Sequence, residues 1–184
     1  MCFRKIFQKN SNINYRTKED LTKVEKNVIE DLNHKKPWGF YDTFVRNKTC
    51  TPKVLGFYDE LSIQSHKNRD EIWFLAKGKL AIYRSKVVEP IGQADSKIKT
   101  IAKLKETILK PGDGIFIPKH TAHGARNLCR EGSLVVEIAL GKAEEKDLIR
   151  LYDKNGRVKL ENIPDGLNAP KVIKYCKRYL KNQK

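Results

Sequence analysis

The chain has 184 residues with 38 Lys+Arg, 22 Asp+Glu and a formal net charge of +16. This length supports one domain with a substantial core and excludes two large ones. At 39% hydrophobic residues the composition excludes wholesale disorder, and the basic charge favours anionic partners such as phosphorylated small molecules.

The N-terminal region has the pattern of a basic extension with one amphipathic helix. Over residues 11–35, apolar side chains recur at helical intervals, and Thr17 with Asp20 resembles a helix-capping box. No apolar run approaches the ~20 residues of a membrane span, and residues 1–10 lack the core of a signal peptide. These features predict a cytoplasmic protein with no membrane partner.

The central region has the pattern of an all-β sandwich or barrel. Short apolar runs separated by turn residues follow Pro37 up to Gly141. Residues 86–103 are polar and rich in turn formers, which predicts a long hairpin excursion. After Gly141 helical and loop character is expected, and residues 170–184 predict a helix with an apolar stripe and a basic surface.

Three of the four histidines lie in two short segments of this β region. The first contains Gln64, His66 and Glu71, with a turn expected at 68–70, and the second contains His123. Because side chains alternate along a strand, Gln64, His66 and Asn68 are predicted to share a face. Imidazole, carboxylate and amide groups together suit a divalent cation. From residue types alone, polar strand ends without a metal remain an equal alternative.

The two segments together resemble the paired motifs of the cupins. The first reads Gln64-x-His66-x-Asn68-x-x-Glu71 and the second Gly112-x5-Pro118-x4-His123-x3-Asn127. The strings KPWGFY, LSIQSHKNRDEIWFLAKG, LKPGDGIFIPKHTAH and DLIRLYDKNGR are similar to the type II mannose-6-phosphate isomerase cupins. The likeness covers about residues 36–157.

This resemblance implies a double-stranded β-helix, or jelly-roll barrel, at 36–157, between an N-terminal extension (1–35) and a basic, partly helical tail (158–184). It implies a metal-dependent isomerase that interconverts mannose 6-phosphate and fructose 6-phosphate through an enediolate. Ligands transferred by position are His66, Glu71 and His123, with Gln64 as the fourth. The metal would be zinc, with iron, manganese, nickel or cobalt as alternatives. The family usually has histidine at the position of Asn68.

Other residues of the reaction follow from chemistry. On SLVVEIALG one face is wholly apolar, which places Glu137 on the other and makes it a candidate base; a solvent-facing or lysine-paired glutamate is an equal alternative. Arg126 is expected to reach the barrel mouth and act on the phosphate. Lys36, Arg69 and Lys67 are expected to bind substrate.

Two further classes of function stay open at this stage. Another phosphorylated or nucleotide-linked sugar is an enzymatic alternative, and a non-catalytic sugar- or metal-binding cupin is a second. Nucleic-acid binding rests only on charge and ranks low. A homodimer is expected, as is common among proteins that resemble this one.

Overall fold

The computed structural model describes residues 31–46, 48–88 and 94–183, which form two antiparallel sheets. Sheet A has six strands, in the order β1 (Asp31–Lys36), β2 (Gly39–Thr43), β3 (Cys50–Phe57), β10 (Ser133–Gly141), β5 (Arg69–Lys77) and β8 (Gly114–Ile117). Sheet B has five, in the order β11 (Leu148–Tyr152), β4 (Glu60–His66), β9 (Thr121–Asn127), β6 (Leu80–Val88) and β7 (Lys105–Leu109).

The chain passes repeatedly from one sheet to the other, so the two sheets enclose a common interior. From β3 to β6 and from β7 to β11, each strand lies in the sheet opposite to its predecessor. The first of these crossings is a tight turn in which the N–H groups of Tyr58 and Asp59 both donate to the carbonyl of Trp38. The predicted all-β architecture is confirmed, and this winding is that of a double-stranded β-helix.

Strand β10 shows how the sequence pattern sets the two faces. Val135, Glu137 and Ala139 are buried between the sheets, whereas Val136 and Ile138 lie on the partly exposed outer face of sheet A. The predicted alternation along this strand is confirmed. Large apolar side chains fill much of the interior. They include Trp38, Leu55, Phe57, Trp73, Leu75, Ile82 and Ile117.

Two helices cover the outer face of sheet B. Helix α1 (Ala94–Ala102) lies in the segment for which a hairpin excursion was expected, and that expectation is wrong because Ile98 and Ile101 bury against the sheet. Helix α2 (Ala169–Asn182) confirms the predicted C-terminal helix. Its side chains Val172 and Cys176 are fully buried in the same cluster.

Two strands are not predicted by the sequence pattern. The region after Gly141 was expected to be helical or loop, but Leu148–Tyr152 forms β11 at the edge of sheet B. Thr121–Asn127 forms β9 in the middle of that sheet, although small and polar residues give its sequence little strand character. In both cases pairing with neighbouring strands outweighs local propensity.

The predicted N-terminal helix falls mostly outside the described residues. Its last part, from Asp31 onward, is strand β1, so a helix that continues through residue 35 is wrong. Strand β1 pairs with β2 at the edge of sheet A. In the described part of the chain, no helix is both long enough and apolar enough to cross a lipid bilayer.

Candidate metal centre

Three polar side chains from three strands meet inside the barrel. His66 ends β4, Glu71 lies on β5 and His123 lies on β9, and one ligand atom from each lies within 4.8 Å of the others. All three residues are buried, with 1–2% of their surface exposed. The structure therefore brings together two imidazoles and one carboxylate that are 57 residues apart at most in the sequence.

The strand pairing explains why these three residues meet. Within sheet B, β4 and β9 are neighbours, and Gln64 lies directly opposite His123. The chain turns after His66 and enters sheet A at Arg69, which carries Glu71 to the facing sheet. A turn expected near 68–70 is thus present at Lys67 and Asn68.

The carboxylate of Glu71 lies between the two imidazoles. Its Oε1 is 3.0 Å from Nε2 of His66, and its Oε2 is 3.5 Å from Nε2 of His123. Burial alone favours the neutral acid, but the charge and hydrogen bond of His66, with His123 and Arg69, hold the pKa of Glu71 well below its usual range. Glu71 is an anion at neutral pH.

His123 is held in the protonation state that a metal ligand needs. Burial lowers its pKa to about 4, against the opposing charge of Glu71. Its Nδ1 lies 3.0 Å from the carbonyl oxygen of Thr121, which only accepts hydrogen bonds. Nδ1 therefore carries the proton, and Nε2 presents a lone pair to Glu71.

The donor set fits a divalent metal ion. Nε2 of His123 and Oε2 of Glu71 are both buried and have no hydrogen-bond partner among the described residues. Unpaired buried polar atoms are costly, and a cation between them would satisfy both. Two imidazole nitrogens and one carboxylate oxygen suit zinc, iron, manganese, nickel or cobalt equally well.

A second layer of charge supports the cluster. Arg69 donates from Nε to Oε1 of Glu71 at 2.9 Å and from Nη1 to Oδ2 of Asp147 at 3.2 Å, and its Nη2 lies 3.1 Å from Nε2 of His66. The other oxygen of Asp147 accepts the backbone N–H groups of Lys67 and Asn68. Asp147 therefore fixes both the turn and the guanidinium beside the candidate ligands.

The two remaining residues of the first motif have different positions. Gln64 lines the pocket beside His66, and its Oε1 accepts a hydrogen bond from the Ser62 hydroxyl at 3.0 Å. Its role as a fourth ligand stays a prediction. Asn68 is exposed and lies in the turn, so the prediction that it shares a face with Gln64 and His66 is wrong. The strand ends at His66, and alternation ends with it.

Two residues of the cluster, His66 and Glu71, line a pocket with a basic lining, whereas His123 does not line it. Trp38 and Trp73 form part of its apolar wall. Among the described residues that line it, six are basic and three are acidic, which leaves an excess of three positive charges. The basic residues are Lys36, Arg46, Lys53, Arg69, Arg150 and Arg157, and the acidic ones are Glu71, Glu137 and Glu144.

Glu137 lines the same pocket and is paired with a lysine. Lys53 lies directly opposite Glu137 on β3 and donates from Nζ to Oε1 at 2.7 Å. Glu137 is 4% exposed, so it is both an interior carboxylate and a lysine-paired one. The sequence predictions do not include Lys53. A single charged residue within the strand CTPKVLGF could have indicated it as a site residue.

Two expected site residues lie elsewhere. Arg126 is three residues beyond His123 on one strand, so it points to the opposite face and donates to the Tyr83 hydroxyl at 3.2 Å. It does not line the pocket. Lys67 is exposed in the turn and does not line it either. The structure therefore does not place Arg126 and Lys67 at this pocket, whereas Lys36 and Arg69 do line it, and the roles of all four residues stay predictions.

Comparisons with known proteins support the fold. Neither a scan against protein-family models nor a search of curated proteins gives a match. PAC13 from Streptomyces, solved with uridine, aligns with a TM-score of 0.50 at 9% identity over 65% of this chain and 83% of its own. CapF, solved with the inhibitor 3-isopropenyl-tropolone, gives 0.50 at 13% identity.

The CapF alignment covers 66% of this chain and 34% of CapF, so the chain spans about a third of that protein. A Klebsiella pneumoniae protein described as having a double-stranded β-helix domain aligns with a TM-score of 0.48 at 14% identity, over 71% of this chain and 95% of its own. The chain has the cupin fold. At these identities the likeness concerns the fold alone.

Proposed function

We propose that the protein is a metal-dependent aldose–ketose isomerase that interconverts mannose 6-phosphate and fructose 6-phosphate. The observation that carries the proposal is the convergence of His66, Glu71 and His123, two of which, His66 and Glu71, line a pocket with a basic lining. The motif resemblance to the type II mannose-6-phosphate isomerases supplies the choice of sugar. The expected homodimer stays a prediction.

The lining explains how a sugar phosphate would be held. The excess of positive charge attracts the dianionic phosphate, and arginines can bind it through two parallel hydrogen bonds. Arg150 and Arg157 both line the pocket. They are the proposed phosphate-binding arginines instead of Arg126. Trp38 and Trp73 exclude water from one side of the sugar, which strengthens these electrostatic contacts.

The candidate ligands would hold the metal in the form that catalysis uses. His66, Glu71 and His123 would bind it, with Gln64 available beside them. Three or four protein ligands leave open positions. A bound metal would polarise the carbonyl and the neighbouring hydroxyl of the sugar and so stabilise the enediolate.

Glu137 is the proposed proton carrier. Its carboxylate takes the proton from C2 of the aldose, and the C–H electron pair forms the C1–C2 double bond of the enediolate. The protonated carboxyl, whose proton can exchange with water, then gives a proton to C1, while the O2 hydroxyl proton passes to O1, so atoms and charge balance. Lys53, with Nζ 2.7 Å from Oε1, holds the Glu137 side chain in place before the transfer.

A coupled assay tests this function. Metal-loaded protein is incubated with mannose 6-phosphate, and fructose 6-phosphate is measured with and without a chelator. We expect turnover that the chelator abolishes and that added metal restores. Absence of turnover on hexose 6-phosphates by protein with one bound metal per chain would refute the assignment.

One observation favours a second candidate, a non-catalytic sugar-binding cupin. Arg69 already neutralises Glu71 and lies 3.1 Å from Nε2 of His66, so a cation is present at the cluster without metal. Metal analysis separates the two candidates. Protein that binds hexose 6-phosphate equally well with and without metal, and never turns it over, would favour the second.

A further inference from the structure

One guanidinium group contacts the same side chains that the candidate metal centre offers to a cation. Arg69 is the first residue of β5 and lies two residues before Glu71. It donates from Nε to Oε1 of Glu71 at 2.9 Å, and its Nη2 lies 3.1 Å from Nε2 of His66. Arg69 is 9% exposed, so its side chain is largely shielded from water. One edge of the guanidinium is therefore directed at two of the three candidate ligands.

The contact between Arg69 and His66 is incompatible with metal binding by the same nitrogen. An imidazole nitrogen has a single lone pair in the plane of the ring, so Nε2 can accept from Nη2 or bind a metal ion, but not both. The other ring nitrogen of His66, Nδ1, has Asp147 as its neighbour, with Oδ2 at 3.9 Å. The fixed charge of a guanidinium at this distance also repels a divalent cation.

The other two candidate ligand atoms are not engaged in this way. Nε2 of His123 and Oε2 of Glu71 lie 3.5 Å apart, and both are buried without a hydrogen-bond partner among the described residues. Arg69 donates to the other oxygen of Glu71, Oε1. The cluster thus offers two ligand atoms directly, and a third, on His66, that Arg69 must release.

The fold already provides an acceptor for the released guanidinium. Nη1 of Arg69 donates to Oδ2 of Asp147 at 3.2 Å and lies 3.4 Å from the carbonyl oxygen of Glu144. The other oxygen of Asp147 accepts two backbone N–H groups of the turn at 2.7 and 2.9 Å, which fixes the carboxylate in place. A shift of the guanidinium toward Asp147 therefore keeps two buried charges paired while it frees His66.

We propose that Arg69 is an internal competitor of the metal ion and that Asp147 receives its guanidinium when metal binds. Arg69 and Asp147 are positioning residues that set how tightly the centre holds its metal. Removal of a residue that merely supports the ligands weakens metal binding, whereas removal of a competitor strengthens it. The proposal rests on the metal binding of the proposed function and is independent of the choice of sugar.

Calorimetric titration of the full chain with zinc tests the competition. Arg69→Met removes the guanidinium and should tighten zinc binding about tenfold or more, in the range typical of outer-shell changes but with the opposite sign. Arg150→Met is the matched control, because Arg150 lines the same pocket and carries the same charge. It should change the affinity much less. An equal gain in both variants, or weaker binding by Arg69→Met, would overturn the proposal.

Asp147→Asn should act in the opposite direction, but only while Arg69 is present. Without this carboxylate the guanidinium loses its charged partner outside the cluster, so zinc binding should weaken about tenfold. In the Arg69→Met background the same substitution should change the affinity little. A loss of equal size in both backgrounds would show that Asp147 acts through the turn and not through Arg69, and would overturn its assigned role.

A measurement on wild type keeps the proposal testable if these variants do not fold. Crystal structures in one crystal form, with and without zinc, should differ at Arg69. With zinc bound, its Nη2 should lie more than about 3.5 Å from Nε2 of His66, and its contact with Asp147 should be kept. A guanidinium that stays at His66 beside bound zinc would overturn the proposal.

These outcomes are separate from those of the proposed function. A guanidinium that stays at His66 in a protein that turns over mannose 6-phosphate would refute the competition alone. Movement of Arg69 with zinc, in a protein that turns over no hexose 6-phosphate, would refute the isomerase alone. Wild type that binds no zinc would refute the metal centre and the competition together.

Discussion

Lys53 and Glu137 face each other across two paired strands inside the barrel, with Nζ of the lysine 2.7 Å from Oε1 of the glutamate. Both line the same pocket as His66 and Glu71 of the candidate metal centre. A buried carboxylate is costly without a partner, and the ammonium of Lys53 supplies one. The pair therefore fixes in this pocket the carboxylate that is proposed as the base.

Replacing Glu137 by glutamine should remove the base and preserve the fold. The amide oxygen can still accept from Lys53, so the free energy of unfolding should change little. Loss of general base catalysis should lower kcat by about 10²–10⁴-fold. The measurement is turnover of mannose 6-phosphate, together with exchange of the C2 hydrogen with deuterated water. A Glu137→Gln protein that still exchanges this hydrogen at the wild-type rate would exclude Glu137 as the base.

The Glu71→Gln variant tests the metal ligands. Glu71 supplies the carboxylate between the two histidines, and an amide offers a weaker, uncharged oxygen. The variant should bind metal at least about 10-fold more weakly than wild type does, because substitutions at metal sites typically lower metal affinity by this factor or more. Elemental analysis after dialysis measures the metal content. Glu131→Gln, at a carboxylate that is 71% exposed, is the control and should retain full content.

Much of the fold follows from the sequence because short apolar runs separated by turn residues mark most of the strands, and β5 and β10 also alternate between buried and less buried residues. SLVVEIALG separates its faces as the pattern predicts, with Glu137 among the buried residues. The histidine segments are also readable, since His66, Glu71 and His123 do converge. Strand β9 is the exception: TAHGARN has little strand propensity and is fixed by its two neighbours, β4 and β6.

The errors arise where side-chain direction depends on tertiary structure. Asn68 follows the end of β4, so counting alternate residues past His66 gives the wrong face. Arg126 lies an odd number of residues from His123, and a single regular strand places the two side chains on opposite faces. The partner of Lys53, Glu137, could be identified only after the register between β3 and β10 was known.

Asp147 should be a strong determinant of stability. Its buried carboxylate accepts from Nη1 of Arg69 and from two backbone N–H groups of the turn, at 2.7–3.2 Å. Asp147→Asn removes one of the two charged partners of Arg69, with Glu71 as the other, and should cost about 1.5–3 kcal/mol. Urea denaturation measures the change.

Asp165→Asn provides the matched control for this prediction. Asp165 forms an ion pair with Lys159, but the two side chains are 51% and 74% exposed. Exposed pairs contribute about 0–1 kcal/mol, so this variant should be close to wild type. Equal effects of the two substitutions would contradict the anchoring role of Asp147.

Glu60 should make the stability depend on pH. Both of its oxygens lie about 3 Å from the backbone N–H of Ala169, at the start of α2. Burial raises its pKa to about 7, against the opposing effects of Ala169, Lys154 and Arg126. A carboxyl whose pKa is raised by folding stabilises the protein fully below the unfolded pKa of about 4.5, and this stabilisation is lost as pH rises to about 7.

The Glu60→Gln variant measures that effect. Between pH 4.5 and pH 8, ionisation of Glu60 should lower the free energy of unfolding of wild type by about 2–3 kcal/mol. Glutamine cannot ionise, so the variant should not show this loss. The measurement is the difference in unfolding free energy between variant and wild type at several pH values. A difference that stays constant across this range would show that folding does not shift the pKa of Glu60.

Anomalous X-ray scattering from crystals grown with zinc or manganese tests the central claim most directly. The account predicts one strong peak between His66, Glu71 and His123, within about 2.0–2.3 Å of the coordinating atoms. The matching crystal of His123→Ala should show a weaker peak or none. A wild-type map without a peak at this position, with the guanidinium of Arg69 filling the space between the three side chains, would contradict the account.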